Sequence, residues 1–208
     1  MRQVERIAMF GGTFNPIHNG HIALALSAAR ATGAKVLLIP TYLPPHKSGA
    51  GVIDGADRLE MCRLAVIGHP ELSVSDMELQ RGGPSYTVDT LGALAEAHPG
   101  AALYLVCGAD MLVTLWQWRR YEEILRLAQV AAVWRPGTDK GDYEAAAARI
   151  RRDGGRVLLI EQKGIEVSST DIRGRLERGE SVEGLTPPAV LSYIRERHLY
   201  EKKGADRI

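Results

Sequence analysis

The chemistry-bearing residues gather in one run: Gly11-Gly12-Thr13-Phe14-Asn15-Pro16-Ile17-His18-Asn19-Gly20-His21. Two glycines let a backbone pass close to a phosphate, and a helix starting just beyond them offers N–H groups and a positive dipole end. His18 and His21 are three apart, so near a helix start they share one face. Two imidazoles there can donate hydrogen bonds to a phosphate without adding two permanent charges. The run is not a dinucleotide fingerprint, because GxGxxG is absent, nor a P-loop, because no Gly-Lys-Ser/Thr follows. Taken alone, the pair reads equally well as a strand–turn–helix with two surface histidines. Zinc is a poorer reading, since no third His, Cys or carboxylate stands at useful spacing.

Hydrophobic periodicity supplies the elements that must hold this run. It predicts a strand over 4–10 ended by the glycines, a helix over 20–32 stopped by Gly33, and a strand over 35–41. A Pro/Gly-rich loop over 42–51 follows, then a helix to about 67 capped by Asp54 or Asp57. A short strand over 72–75, a loop over 81–85, a helix over 87–97 and a strand over 102–107 lead into Gly108. After further helical segments come a strand over 130–134, a helix over 143–152, a strand over 156–160 and a helix over 170–178. Pro187-Pro188 opens a last helix to 198, with Pro in the first turn where its missing N–H does no harm. Such alternation argues α/β: a mainly parallel sheet with helices on both faces, whose ligands gather at the carboxyl ends of the strands. The expectation is one domain over 1–208, in which about 165–208 forms a small helical part.

With 208 residues, 45% hydrophobic and 25% charged, the chain can bury a core and has an ordinary globular make-up. A net charge of +1 gives no global field for DNA, RNA or an anionic membrane, so an anionic ligand needs a local cluster. Cys62 and Cys107 lack CxxC spacing and lie in apolar stretches, which reads as two buried thiols, with one disulfide the alternative. The charged start (Arg2, Glu5, Arg6) and the lack of any apolar run near ~18 residues point to a cytoplasmic protein with no membrane or nucleic-acid partner.

The run over 11–21 is similar to the nucleotidyltransferase signature, whose His-x-Gly-His element, here His18-Asn19-Gly20-His21, is shared with class I aminoacyl-tRNA synthetases. The synthetases add a Lys-Met-Ser-Lys-Ser signature and a much longer chain, both missing here. Instead Val167-Ser168-Ser169-Thr170-Asp171-Ile172-Arg173 resembles the nucleotidyltransferase counterpart, Ile-Ser-Ser-Thr-x-Ile-Arg. Between the two, 40–47 (PTYLPPHK), 85–91 (SYTVDTL), Gly108-Ala109-Asp110 with Leu115 and Trp118, and Arg135-Pro136-Gly137 resemble segments of the bacterial nicotinate-mononucleotide adenylyltransferases. Tyr193-Ile194 and Leu199-Tyr200 fit the same family. Asn15 stands where many relatives carry Asp, and Val167 in place of Ile is a trivial change.

The resemblance implies a Rossmann-like, doubly wound fold and a set of roles. His18, His21, Lys47 and Arg173 would carry the transfer. Gly11, Gly12, Thr13, Phe14, Gly108, Asp110, Arg135, Ser168, Ser169 and Thr170 would hold ATP. Asn15, His46, Tyr86, Thr87, Trp118 and Arg119 would line the nicotinate-mononucleotide side, Asn15 in a structural capacity. On chemistry alone Lys47 reads as a surface lysine, Ser168 to Thr170 as a helix N-cap, and Asp110 as another. His46 is balanced between loop packing and phosphate contact. Trp116 and Trp118 cannot both face one way; the family spacing assigns stacking to Trp118 and leaves Trp116 to packing. Arg58, Arg63 and Arg81 read as solvated faces or ion pairs, and His69, His98 and His198 carry no motif.

The implied reaction is displacement at the α-phosphorus of ATP by the phosphate of nicotinate mononucleotide, releasing pyrophosphate. Both phosphates are already ionised, so alignment and charge neutralisation suffice, with Mg²⁺ arriving on the ATP. The nicotinate carboxylate suits the backbone N–H groups of Thr87 and Arg119, and Trp118 the pyridine ring. The alternatives are a nicotinamide-preferring enzyme and a pantetheine-phosphate adenylyltransferase, whose chains lack the SYTVDTL and LWQW segments. An NAD-sensing regulator would need damaged phosphate ligands. Assembly as a homo-oligomer is left open by the sequence.

Overall fold

Alternate residues of the first strand divide between two apolar cores, and that division organises the molecule. A computed structural model describes residues 4–44, 51–134, 139–162 and 167–201. Along the chain run β1 (Arg6–Gly12), α1 (Asn19–Thr32), β2 (Lys35–Pro40), α2 (Gly55–Ala65), β3 (Leu72–Val74), α3 (Met77–Arg81) and α4 (Thr87–Ala97). They continue as β4 (Ala102–Gly108), α5 (Ala109–Leu112), α6 (Tyr121–Leu127), β5 (Gln129–Trp134), α7 (Lys140–Arg152), β6 (Val157–Glu161), α8 (Ser169–Glu177) and α9 (Pro188–Glu196). The six strands form one sheet in the order β3-β2-β1-β4-β5-β6, every pair parallel. Ala8 and Phe10 join Val36, Val106 and Ala131 in a core closed by α1, α2 and α9. Ile7 and Met9 join Leu105, Val130 and Ala132 in another, closed by α4, α6 and α7. The period of two thus buries both faces, as expected of a doubly wound α/β sheet.

The strand order reverses between β1 and β4, and such a switch point opens a crevice at the carboxyl ends of the strands. β1 runs further than periodicity predicts: Gly11 and Gly12 stay in register with Ile39 and Pro40 rather than ending the strand. Val4, at the other end, is 58% exposed and outside the sheet. Gly12 has a steric reason, since a Cβ there would meet the Phe14 ring at 2.7 Å.

α1 is rich in Ala and ends at Gly33, whose left-handed φ of 63° returns its N–H to Ala29 O. Asp54, not Asp57, caps α2 through Ala56 N at 2.7 Å. α3 is a single turn that periodicity does not signal. Cys62 and Cys107 are free and buried, and burial pushes both thiols up, Cys107 to about 12. No described helix is long and apolar enough to cross a membrane.

Candidate active site

The loop leaving β1 is held from behind, one carbonyl after another. Arg58 Nη1 donates to Thr13 O at 2.9 Å, Arg173 Nη1 to Asn15 O at 2.8 Å, Ser169 Oγ to Pro16 O at 2.9 Å, and Thr186 Oγ1 to Ile17 O at 2.9 Å. Asn19 closes the series, its N–H on Leu185 O and its Nδ2 on Gly184 O. Tied carbonyls are acceptors withdrawn from an anion, which suits a loop meant to present donors. The ties also offset local strain. Phe14 sits at φ 47°, a left-handed conformation costing on the order of 1–3 kcal/mol for a side-chain-bearing residue. Two arginine hydrogen bonds at roughly 1.5–3 kcal/mol each are enough to hold it.

His18 and His21 cap α1 reciprocally. His21 N–H donates to His18 Nδ1 and His18 N–H to His21 Nδ1, both at 3.3 Å. A ring nitrogen that accepts carries no proton, so in the neutral rings the proton lies on Nε2. The backbone thus makes Nε2–H the donor side of both imidazoles. The rings are stacked at 3.6 Å between centroids and 20° between planes. Phe14 packs edge-on against His21 at 5.1 Å and against Phe10 at 5.4 Å, which fixes the stack laterally. His18 is only 3% exposed. The reading of two surface histidines is therefore overturned, because one of them is a buried cap.

Asn15 is also buried. Its Nδ2 donates to Gly51 O at 2.8 Å, and its Oδ1 accepts from Tyr200 Oη at 2.8 Å and Ile53 N at 3.4 Å. The three hydroxyls of the second signature are likewise engaged. Ser168 Oγ caps α8 by accepting from Asp171 N, Ser169 reaches Pro16, and Thr170 Oγ1 accepts from Arg173 Nη2 at 3.3 Å. The structure therefore joins the two signatures into one unit across more than 150 residues of sequence. What Phe14 and this α8 end can offer an anion is chiefly backbone N–H.

Across the switch point, Gly108 ends β4 and serves as the N-cap of α5. A Cβ on it would meet Asp110 Oδ1 at 2.7 Å and lie 3.8 Å from Leu24 of α1, so it must be glycine for Asp110 to keep its place. Asp110 is exposed in the first turn of α5 rather than capping it. Its alternative as a cap residue falls away.

Tyr86, Thr87, Trp118 and Arg119 lie together where α4 begins. The Arg119 guanidinium lies 4.6 Å from the Tyr86 ring centroid, and Tyr86 and Trp118 both pack on the core shared by α4 and α6. Thr87 opens α4, where first-turn N–H groups have no partner inside the helix. The turn is backed by a buried polar cluster: Thr90 Oγ1 donates to Glu78 Oε1 at 2.6 Å and accepts from Arg81 Nη2 at 3.0 Å. Ser85 ties this wall to the end of β2, its N–H on Leu43 O and its Oγ accepting from Tyr42 N at 2.9 Å. Trp116 stays out of the core. It is 45% exposed with Arg149 over its ring at 4.4 Å, because Leu115 takes the buried place in the turn.

His46, Lys47 and Arg135 lie outside the described residues. Arg63 forms an exposed pair with Glu60, but Arg58 is 2% exposed and donates to two backbone carbonyls, so it is neither a solvated face nor part of a described ion pair. Arg58, Thr186 and Tyr200 are the contributors that the sequence does not announce. The only signal was the fit of Leu199-Tyr200 to the family.

The reversal of strand order between β1 and β4 brings the starts of α1 and α5 to the carboxyl ends of the strands, which defines a doubly wound α/β protein with its ligand position at the switch point. Residues 9–175 match the cytidylyltransferase-like family, and the chain belongs to it. It is 40% identical over 199 residues to a Symbiobacterium thermophilum protein bearing the name probable nicotinate-nucleotide adenylyltransferase, covering 95% of this chain and 96% of that one. A Streptomyces coelicolor protein of the same name is 41% identical over 194 residues, covering 91% and 98%. Within its family the chain thus sits among the nicotinate-nucleotide adenylyltransferases. The Plasmodium falciparum nicotinic acid mononucleotide adenylyltransferase solved with NaAD superposes with a TM-score of 0.76 at 17% identity, over 94% of this chain and 97% of that one. That likeness is one of fold.

Proposed function

We propose that this protein transfers the AMP of ATP to nicotinate mononucleotide, forming nicotinate adenine dinucleotide and pyrophosphate. The mononucleotide's phosphate oxygen forms the new bond to the α-phosphorus as the bond to the bridging oxygen breaks, and pyrophosphate leaves. The observation carrying this reading is the stacked His18/His21 pair, whose Nδ1 atoms are committed to backbone N–H groups at the β1 end of the switch point. Two Nε2–H donors suit oxygens on which charge builds in the transition state. Both substrates are ionised, so the site has no need of a general base.

Arg173, one turn into α8, supplies positive charge beside the loop, and Lys47 is assigned a similar role from its motif. The N–H groups at the start of α8, from Ser169 and Thr170, suit the phosphate tail. Gly108 and Asp110 suit the ribose, and Arg135 is assigned to ATP from its motif. ATP enters as its Mg²⁺ complex, the metal being part of the substrate. Thr87 and Arg119 N–H groups receive the nicotinate carboxylate and Trp118 stacks on the ring with Tyr86 alongside, while His46 is assigned to the same substrate from its motif. The cytoplasm, where ATP is present and thiols stay reduced, is the expected setting. One unit over 1–208 is supported by Val190 and Ile194 of α9 sharing a core with Ala8 and Phe10. The test is pyrophosphate release with ATP and each pyridine mononucleotide. No release with nicotinate mononucleotide would refute the proposal.

A further inference from the structure

Beyond α9 the chain makes a costly turn. His198 and Tyr200 both adopt left-handed backbone, at φ 50° and φ 65°, which residues with side chains seldom take unless the surroundings impose it. The turn is closed by Leu199 N–H on Ile194 O. Its outcome is to lay Tyr200 against the core that contains Phe10 and Phe14, with its hydroxyl 2.8 Å from Asn15 Oδ1. Burial pushes the Tyr200 phenol well above its ordinary range, with Arg173 and Arg58 opposing, so the group remains a donor.

The partners of Asn15 define which end of its amide is which. Oδ1 takes two donors, Tyr200 Oη and Ile53 N, while Nδ2 gives to Gly51 O. Of the two donors the phenol is the closer, at 2.8 Å against 3.4 Å. Asn15 itself lies between strained Phe14 and Pro16, two carbonyls short of His18. We propose that Tyr200 is a positioning residue for the phosphate loop, acting through the Asn15 amide to fix the loop's register against the segment at 51–53. Without the phenol's O–H, Asn15 keeps a single long donor and the loop loses its tie to the far end of the described chain. A displacement on the order of 1 Å in such a loop is enough to lower turnover steeply.

The kinetic half of this inference rests on the adenylyltransferase reading; the structural half does not. The test compares Tyr200→Phe with Tyr193→Phe, which loses an equivalent 2.8 Å bond to Asp57 without touching the loop. Tyr200→Phe is expected to lower kcat for pyrophosphate release about tenfold with KM for the mononucleotide within about twofold. It should also speed amide exchange across 13–19. Tyr193→Phe should do neither. Combined with Asn15→Ala, Tyr200→Phe should add nothing to kcat beyond the more damaging single change. Wild-type exchange rates across 13–19 in folded Tyr200→Phe, or fully multiplicative effects in the double variant, would overturn the proposal. If the wild-type chain releases no pyrophosphate at all, the functional reading fails while the exchange comparison still decides the role of Tyr200. Should Tyr200→Phe not fold, Asn15→Ala applies the same exchange test from the other end of the bond.

Discussion

Arg58 donates through Nη1 to Thr13 O at 2.9 Å, tying a helix of one core face to the loop that leaves β1. Its Nε gives a second bond to Ile53 O at 3.1 Å, and the side chain is 2% exposed. Burial draws its pKa below the ordinary arginine value, with Cys62, Tyr200 and Asp54 opposing. Arg58→Met should therefore strand two carbonyls, at about 1–3 kcal/mol each. Arg58→Lys should not restore both, because a single ammonium lacks the planar fork. Urea unfolding of the three proteins measures this. An Arg58→Met protein with the wild-type midpoint would show that the two bonds contribute nothing.

His21→Ala should lower kcat by roughly two powers of ten, the scale of losing one transition-state donor. It should also cost about 0.5–2 kcal/mol of stability, since the reciprocal cap goes with it. His18→Ala loses the cap and a buried ring together, and is expected to be the less stable of the pair. Steady-state kinetics beside thermal melts separate the two effects. Near-normal turnover in folded His21→Ala would remove the basis for the mechanism.

The acid–amide choice should be set by backbone donors. A carboxylate facing two N–H groups gains charge-assisted hydrogen bonds, whereas a carboxamide must mispair one group at on the order of 1–3 kcal/mol. The expected preference for nicotinate over nicotinamide mononucleotide is roughly tenfold to a few hundredfold in kcat/KM. Trp118→Ala should weaken both substrates and leave most of that ratio, because the ring is common to them. Equal use of the two mononucleotides by the wild-type enzyme would dismiss Thr87 and Arg119 as carboxylate donors.

Glu78 gives stability a pH dependence of defined sign. It is 2% exposed, and desolvation pushes its carboxyl above the ordinary range despite the hydrogen bond from Thr90 and the nearby Arg81. One oxygen, Oε2, is buried without a hydrogen-bond partner. The folded state therefore binds this proton more tightly than the unfolded chain does, and stability is lost as pH rises from about 4.3 through the raised value. Glu78→Gln cannot titrate. The melting temperature of wild type minus that of Glu78→Gln should fall across this window. A difference that stays flat from pH 4 to 8 would contradict the assignment.

EDTA should abolish pyrophosphate release, and added Mg²⁺ should restore it, with no metal bound in stoichiometric amount after purification. Elemental analysis finding one zinc per chain would instead return His18 and His21 to the role of metal ligands.

Periodicity was enough for the parallel α/β architecture, because burial on both sheet faces writes nearly continuous apolar runs such as 35–40 and 102–107 into the sequence. The two signatures were enough for the nucleotidyltransferase class, since His18, His21 and Ser168 to Arg173 are local in sequence. Where β1 ends was not legible: Gly11 and Gly12 read as breakers, but pairing with β2 carries the strand through them. Nor was the burial of Arg58, whose helix neighbours Asp57 and Glu60 give it the pattern of a solvated face. The tertiary structure alone decided that Arg58, Ser169, Arg173, Thr186 and Tyr200 converge on one loop, at sequence separations from 45 to 185 residues. The physical reason is that apolar patterning reports which side of an element is buried. A hydrogen bond between distant segments depends on how the chain is wound, and a single sequence carries no periodic trace of it.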